Sequence, residues 1–195
     1  MNNTKKEILR VAKKMFNEKG YNAVSVRDIA GEVGIGSGNL TYYFAKKEEI
    51  METLLAESKS EYTVHISSLE AMDEFFMYLQ QDVKENSFYY GSHTQLAQVS
   101  SVISDKQREM YEENSNVLKE GFLELCREGL IYKESYKGEY DRLIDSLLIS
   151  ITYWIPFCQM KGSIDVRSYR RQAWSVILPI MTKDGKVRLF KLLKK

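Results

Sequence analysis

Only two prolines, Pro156 and Pro179, and eleven glycines interrupt the 195 residues. A fold of many short strands needs a turn roughly every 8 to 12 residues, and these breakers are too few and too clustered to supply them. What remains is long stretches with apolar residues at helical spacing, so the expected fold class is all-α. Hydrophobic residues make up 44% of the chain and charged residues 28%, which is enough apolar material for a folded core. The length suits one sizeable core or two small ones.

The first 50 residues break into short helices with readable ends. Ile8, Ala12, Met15 and Phe16 form one apolar stripe on a helix over about 4–19, and Gly20 closes it. Ser25 is placed to cap a second helix of about nine residues, with Asp28 at its third position and Val26, Ile29, Ala30 and Val33 on its inner face. Gly34-Ile35-Gly36 makes a tight break, and a third helix over about 37–43 buries Leu40 before Phe44 closes the unit. A fourth helix opens at Lys46-Lys47-Glu48-Glu49 and continues through Ile50, Leu54, Leu55, Ser58 and Tyr62 to about His65. Further helices are expected over about 71–90, 93–103, 106–131, 138–160 and 165–182, about nine in all, followed by a basic tail over 183–195.

The stretch Ser25 to Phe44, SVRDIAGEVGIGSGNLTYYF, has the layout of a helix-turn-helix. Ala30 is small where two helices cross, and Ile29, Val33, Ile35 and Leu40 are spaced to lock them together. The other face of the third helix then holds Ser37, Asn39, Thr41, Tyr42 and Tyr43, residue types suited to base edges and phosphates in a major groove. Gly36 and Gly38 keep its first turn slim, so that backbone N–H groups there can approach a phosphate. Charge agrees with this reading. Residues 1–50 carry nine Lys/Arg against six Asp/Glu, a balance of +3, whereas the whole chain is only +1 and the remainder is therefore near −2.

Ser25 to Ile50 resembles the head of the TetR family of regulators, in which the helix-turn-helix is followed by an aromatic-Phe pair, a Lys-Glu and an aliphatic residue, here Tyr43-Phe44, Lys47-Glu48 and Ile50. Thr41 stands where that family usually has Tyr, and Gly36 where a Ser usually caps the recognition helix. The resemblance implies a three-helix DNA-binding domain over 1–50, with the helix-turn-helix at 25–44, and a helical ligand-binding and dimerising domain over 51–195. It also implies that Lys47 holds the DNA backbone and that Arg27 helps anchor the second helix. The implied partners are operator DNA, a second copy of the chain in a homodimer, and a small, mainly apolar or aromatic effector that releases the repressor. No cofactor is implied.

Residues able to line an effector cavity are Phe75, Phe76, Phe88, Tyr89, Tyr90, His93, Phe122, Tyr153, Trp154 and Met160, although aromatic residues at helical spacing more often fill cores. Ile144, Leu148, Ile151 and Ile155, together with Trp174, Ile177, Leu178 and Met181, offer more apolar surface than one chain is expected to cover, and are read as a twofold pairing face.

Enzyme signatures are missing. Gly34-Ile35-Gly36-Ser37-Gly38-Asn39 begins like a dinucleotide fingerprint, but Asn39 stands where the last glycine belongs and a helix precedes it. Two histidines and the isolated Cys126 and Cys158 give little scope for a metal site or a disulfide framework. The N-terminus lacks the apolar core of a secretory signal, so a cytoplasmic location is expected. The most apolar run, Leu147 to Cys158, is well short of the roughly 20 residues that span a bilayer. An alternative role attaches to the tail, where Lys183, Lys186, Arg188, Lys191, Lys194 and Lys195 surround an apolar seam suited to a membrane surface or a partner protein.

Overall fold

In a computed structural model of the chain, the described residues are 3–57, 65–162 and 169–194. Among them the fold is all-α: twelve α-helices, one 3-10 turn and no strand beyond a single isolated bridge between Ile131 and Met181. The chain divides into two compact units. One joins Met1–Glu61 to Glu85–Arg108, and the other joins Tyr62–Lys84 to Glu109–Lys195.

The first unit contains α1 (Asn3–Lys19), α2 (Val26–Val33), α3 (Ser37–Tyr43) and α4 (Lys47–Glu57). It also holds α6 (Ser87–Gly91), α7 (His93–Leu96) and the start of α8 (Ser101–Arg127). The ends of α1 and α2 fall where the sequence puts them: Gly20 takes a φ of 82° and donates its N–H to Phe16 O at 2.9 Å. The continuation of α4 expected over 58–64 lies outside the described residues.

The helix expected over 71–90 instead stops at Glu85, and a side chain from far back in the sequence explains the break. Asn17 on α1 donates Nδ2–H to Glu85 O at 2.9 Å, and its Oδ1 accepts from the Ser87 hydroxyl at 2.9 Å and from Phe88 N–H at 3.0 Å. One amide thus satisfies a carbonyl on one side of the break and an N–H on the other, which removes the penalty of leaving them unpaired. Two further ties hold this segment in the first unit: Asn22 Nδ2 to Gln95 Oε1 at 2.7 Å, and Ser100 Oγ to Glu52 Oε1 at 2.6 Å. Phe88 adds an aromatic contact to Phe16, with ring centres 5.9 Å apart.

The second unit is built from α5 (Leu69–Glu85), the rest of α8, α9 (Glu139–Thr152), α10 (Trp154–Met160), α11 (Tyr169–Ile177) and α12 (Lys183–Leu192). The single helix expected over 138–160 is two, bent by 62° at Tyr153. Pro156 sits in the first turn of α10, where its missing N–H is tolerated, but it has none to donate back to Thr152. Pro179 likewise turns the end of α11 into the 3-10 segment Leu178–Ile180. The start of the helix expected at 165 falls outside the described residues. The tail is a helix, α12, capped by the Thr182 hydroxyl, which accepts from Gly185 N–H at 3.1 Å. Gly185 lies so close to Leu130 that a Cβ there would overlap the Leu130 carbonyl oxygen. Leu189 is buried beside it, while Val187 and Phe190 stand exposed among the basic residues.

A buried polar cluster fastens α11 to α5. Asp73 is 4% exposed on a helix face otherwise filled by Leu69, Met72, Phe76 and Leu79. Its carboxylate accepts Arg170 Nε at 2.6 Å and Nη2 at 2.5 Å, and Trp174 Nε1 at 2.8 Å. No helix among the described residues is by itself long and apolar enough to cross a membrane.

Candidate nucleic-acid interface

The candidate site begins with the way α2 is held at both ends. Ser25 is extended, its hydroxyl accepts from Asp28 N–H at 3.2 Å, and its own N–H donates to Asp28 Oδ2 at 2.8 Å, a reciprocal capping box. These bonds from Ser25 hold the Asp28 carboxyl below its ordinary range. At the other end Gly34 takes a left-handed φ of 79° and donates to Gly31 O at 3.2 Å, while Ile35 N–H reaches back to Ala30 O at 3.0 Å. This closure aims the chain into α3. Open space surrounds the Gly34 Cα, so Gly34→Ala is expected to cost only the backbone strain, about 1 to 2 kcal/mol, read as a lower thermal midpoint.

α3 has seven residues and two sharply different sides. Leu40 is fully buried, and Ile29 and Ala30 of α2 are buried as well. Ser37, Gly38, Asn39, Thr41 and Tyr42 are all exposed, Tyr42 at 83%. Gly36 caps the helix with its carbonyl alone, accepting from Asn39 N–H at 2.9 Å and Leu40 N–H at 3.1 Å. The Thr41 hydroxyl donates to Ser37 O at 2.9 Å, which leaves its lone pairs facing outward as acceptors. Tyr43 is half-buried and meets Tyr42 edge-on, with centroids 5.3 Å apart. Phe44 is buried below Lys5, whose ammonium lies 5.0 Å from the ring centre. Arg27 is exposed on α2.

Lys47, in the first turn of α4, turns its ammonium toward the α1–α2 loop. Its Nζ donates to Tyr21 O and to Val24 O, both at 2.9 Å, and lies 4.1 Å from the Tyr21 ring centre. Burial pulls its pKa below the ordinary lysine value, with Glu48 opposing. Tyr21 itself is 3% exposed, and its hydroxyl has no hydrogen-bond partner among the described residues. Burial first, then Glu48 and Glu52, push that phenol up to about 12.

The aromatic residues expected to line one cavity fall into separate sets. Phe88, Tyr89 and His93 belong to the first unit, with Tyr89 edge-on to His93 at 5.1 Å. Phe75, Phe76, Phe122 and Trp154 belong to the second, where they pack on neighbours: Phe76 on Trp174 at 5.3 Å, Phe122 on Tyr140 at 5.4 Å, Trp154 on Tyr169 at 5.7 Å. Tyr153 and Met160 are exposed, at 45% and 78%, rather than turned inward.

The expected pairing face also changes. Ile144, Leu148, Ile151, Ile155, Trp174, Ile177 and Met181 are all buried within one chain, Leu178 is half-buried, and the Trp174 indole N–H is taken by Asp73. Among the described residues these side chains pack into the chain's own core. The exposed apolar side chains from α9 across the bend at Tyr153 into α10 are Ile149, Tyr153, Phe157 and Met160, four, four and three residues apart in sequence. Periodicity signals a stripe but does not say which of two stripes a chain covers by itself.

Comparison with known proteins adds the following. Residues 8–54 match the family described as bacterial regulatory proteins, tetR family, and residues 48–189 match the one described as bacterial transcriptional repressor. The HTH-type transcriptional repressor KstR2 of Mycobacterium tuberculosis is 26% identical over 200 residues, covering 95% of this chain and 96% of that protein. The fatty acid metabolism regulator protein of Bacillus subtilis is 26% identical over 175 residues, covering 88% and 78%. Among solved structures, a TetR-family transcriptional regulator from Marinobacter aquaeolei aligns with a TM-score of 0.85 at 20% identity, covering 98% and 97% of the two chains. The ketosteroid transcriptional regulator KstR2 of Mycobacterium tuberculosis aligns at 0.61 and 23%, covering 94% and 97%. At these identities the structural likeness establishes the fold.

Proposed function

We propose a function from one premise: this chain belongs to the tetR family of bacterial regulatory proteins, which makes it a DNA-binding transcriptional regulator and not an enzyme. It acts as a homodimeric repressor, gripping a near-palindromic operator with two copies of α3 and letting go when a small apolar or aromatic effector enters the helical body. The observation that carries this reading is the outward polar face of α3, with Ser37, Asn39, Thr41 and Tyr42 in solvent and Leu40 locked behind them. Such a face suits base edges in a major groove. Arg27, Gly36, Gly38 and Tyr43 border it and complete the proposed DNA contact. Repression is supported by the relatives named as transcriptional repressor KstR2. An apolar effector is supported by two similar proteins, one named for ketosteroids and one for fatty acid metabolism. Pairing is supported by the exposed apolar side chains Ile149, Tyr153, Phe157 and Met160.

Selection of bound duplexes from a random pool by the full-length chain tests the reading. The expected product is an inverted repeat whose half-sites lie about 34 to 36 Å apart, one helical turn. A recovered pool indistinguishable from the input sinks it. Within that operator, Tyr42→Ala is expected to lose about 1 to 3 kcal/mol of specific binding, the range of one base contact. Circular dichroism is expected to be unchanged, because the side chain is 83% exposed.

A further inference from the structure

We propose that the outward face of α12 docks on an anionic lipid surface. The face is fixed by what lies behind the helix. Gly185 sits so close to the Leu130 carbonyl that no side chain fits between them, and Leu189 is buried beside it. At the helix start the Thr182 hydroxyl donates to Gly129 O at 2.9 Å. The helix therefore cannot roll, and its opposite side is left for something else. That side carries Lys183, Val187 and Phe190, with Lys194 just past the last turn, four, three and four residues apart along one helical line. Val187 is 67% and Phe190 50% exposed, and Lys186 and Lys191 flank them. None of these four lysines makes an ion pair among the described residues, whereas Arg188 is held by Asp184 at 2.9 Å.

An occupant has to satisfy both the cations and the apolar pair at their centre. A second copy brings the same four lysines against their own images, and like charge opposes that pairing. Duplex DNA offers phosphates but little apolar surface for Val187 and Phe190 to enter. Protein interfaces are poor in lysine and rich in arginine, whose planar fork matches a carboxylate, and here the unpaired cations are all lysine. A bilayer with anionic headgroups accepts both halves. Its fluid surface moulds to a convex helix, the two apolar side chains enter the headgroup boundary, and the long lysine stems keep their ammonium groups level with the phosphates. Each lysine at such a surface favours binding by about fivefold. Four of them with two apolar side chains give a reversible docking and not an anchor. The proposal is independent of the DNA-binding reading and of the effector.

The test uses the full-length chain and two kinds of vesicle, one of phosphatidylglycerol mixed equally with phosphatidylcholine and one of phosphatidylcholine alone, with flotation as the readout. The wild type is expected to partition to the mixed vesicles by about tenfold or more over the neutral ones, and to release them as salt rises. Lys183→Gln with Lys194→Gln is expected to weaken that partitioning by about 25-fold, the product of two lysines. Val187→Ser with Phe190→Ser keeps every charge and is expected to weaken it by about tenfold. Both variants alter exposed side chains, so their thermal midpoints are expected to match the wild type. In Phe190→Trp, the emission gained over wild type is expected to shift to the blue when mixed vesicles are added. Equal flotation with the two vesicles overturns the proposal, as does an unshifted emission. A serine variant that floats like the wild type also overturns it, because the lysines then meet a polyanion without any apolar contact. A glutamine variant that loses affinity for random duplex, beside a wild type that does not float, assigns the face to DNA instead.

Discussion

Asp73→Ala is expected to lower the unfolding free energy by about 3 to 5 kcal/mol, the cost of removing one partner from a buried, hydrogen-bonded ion pair. The Asp73 side chain is 5% exposed and that of Arg170 29%, so solvent does little to screen the charge that is left behind. Trp174 Nε1 loses its acceptor in the same stroke, because all three donors converge on one carboxylate. Urea titration followed by circular dichroism reads the loss, and the thermal midpoint is expected to fall on the order of 10 °C. Asp73→Asn keeps an acceptor for the indole and is expected to fall between wild type and alanine. The double variant Asp73→Leu, Arg170→Leu removes both charges and is expected to recover part of the loss. A midpoint for Asp73→Ala within error of wild type would mean that the cluster contributes nothing to holding α11 on α5.

The second large effect concerns assembly. Carboxylates placed among the exposed apolar side chains by Ile149→Glu together with Phe157→Glu are expected to leave the fold intact, since these side chains are 61% and 44% exposed in the single chain. In the proposed twofold pairing, the same carboxylates are expected to meet like charge in an apolar setting. Sedimentation equilibrium is expected to change from a dimer to a single chain. Operator affinity is expected to fall by about 10² or more, because the second head no longer binds as part of the same molecule. A dimer that survives both substitutions places the pairing surface elsewhere.

The head was legible because its determinants are local. Gly20, Ser25 with Asp28, and Gly34 each act within five residues, and the structure uses all of them as caps. Leu40 against an outward Asn39 and Tyr42 follows from the same short-range periodicity. The contacts of Lys47 to the α1–α2 loop were not legible, because the carbonyls it meets lie 23 and 26 residues away. The break after Glu85 was hidden for the same reason: the Asn17 amide that stabilises it comes from 68 to 71 residues earlier. Asp73 did leave a trace, an acid within the run Leu69, Met72, Phe76, Leu79 at helical spacing, which is the mark of a charge that must find a buried partner. The helical stripes of α9 resisted reading because Ile144, Leu148 and Ile151 are indistinguishable by period from a stripe that waits for a second chain. Pro156 carried the information for the bend at Tyr153, but a proline within an apolar run is compatible with a kink as well as a stop.

The Asn17, Asn22 and Glu52 ties bear on protein engineering. A gene fragment ending after α4 would encode the reading head without Phe88, Gln95 or Ser100, leaving Phe16 missing one of its aromatic neighbours and three polar side chains missing their mates. Grafting this head onto a foreign sensor therefore calls for two pieces of chain, 3–57 and 85–108, and any chimera assembled from the first piece alone starts with an open seam.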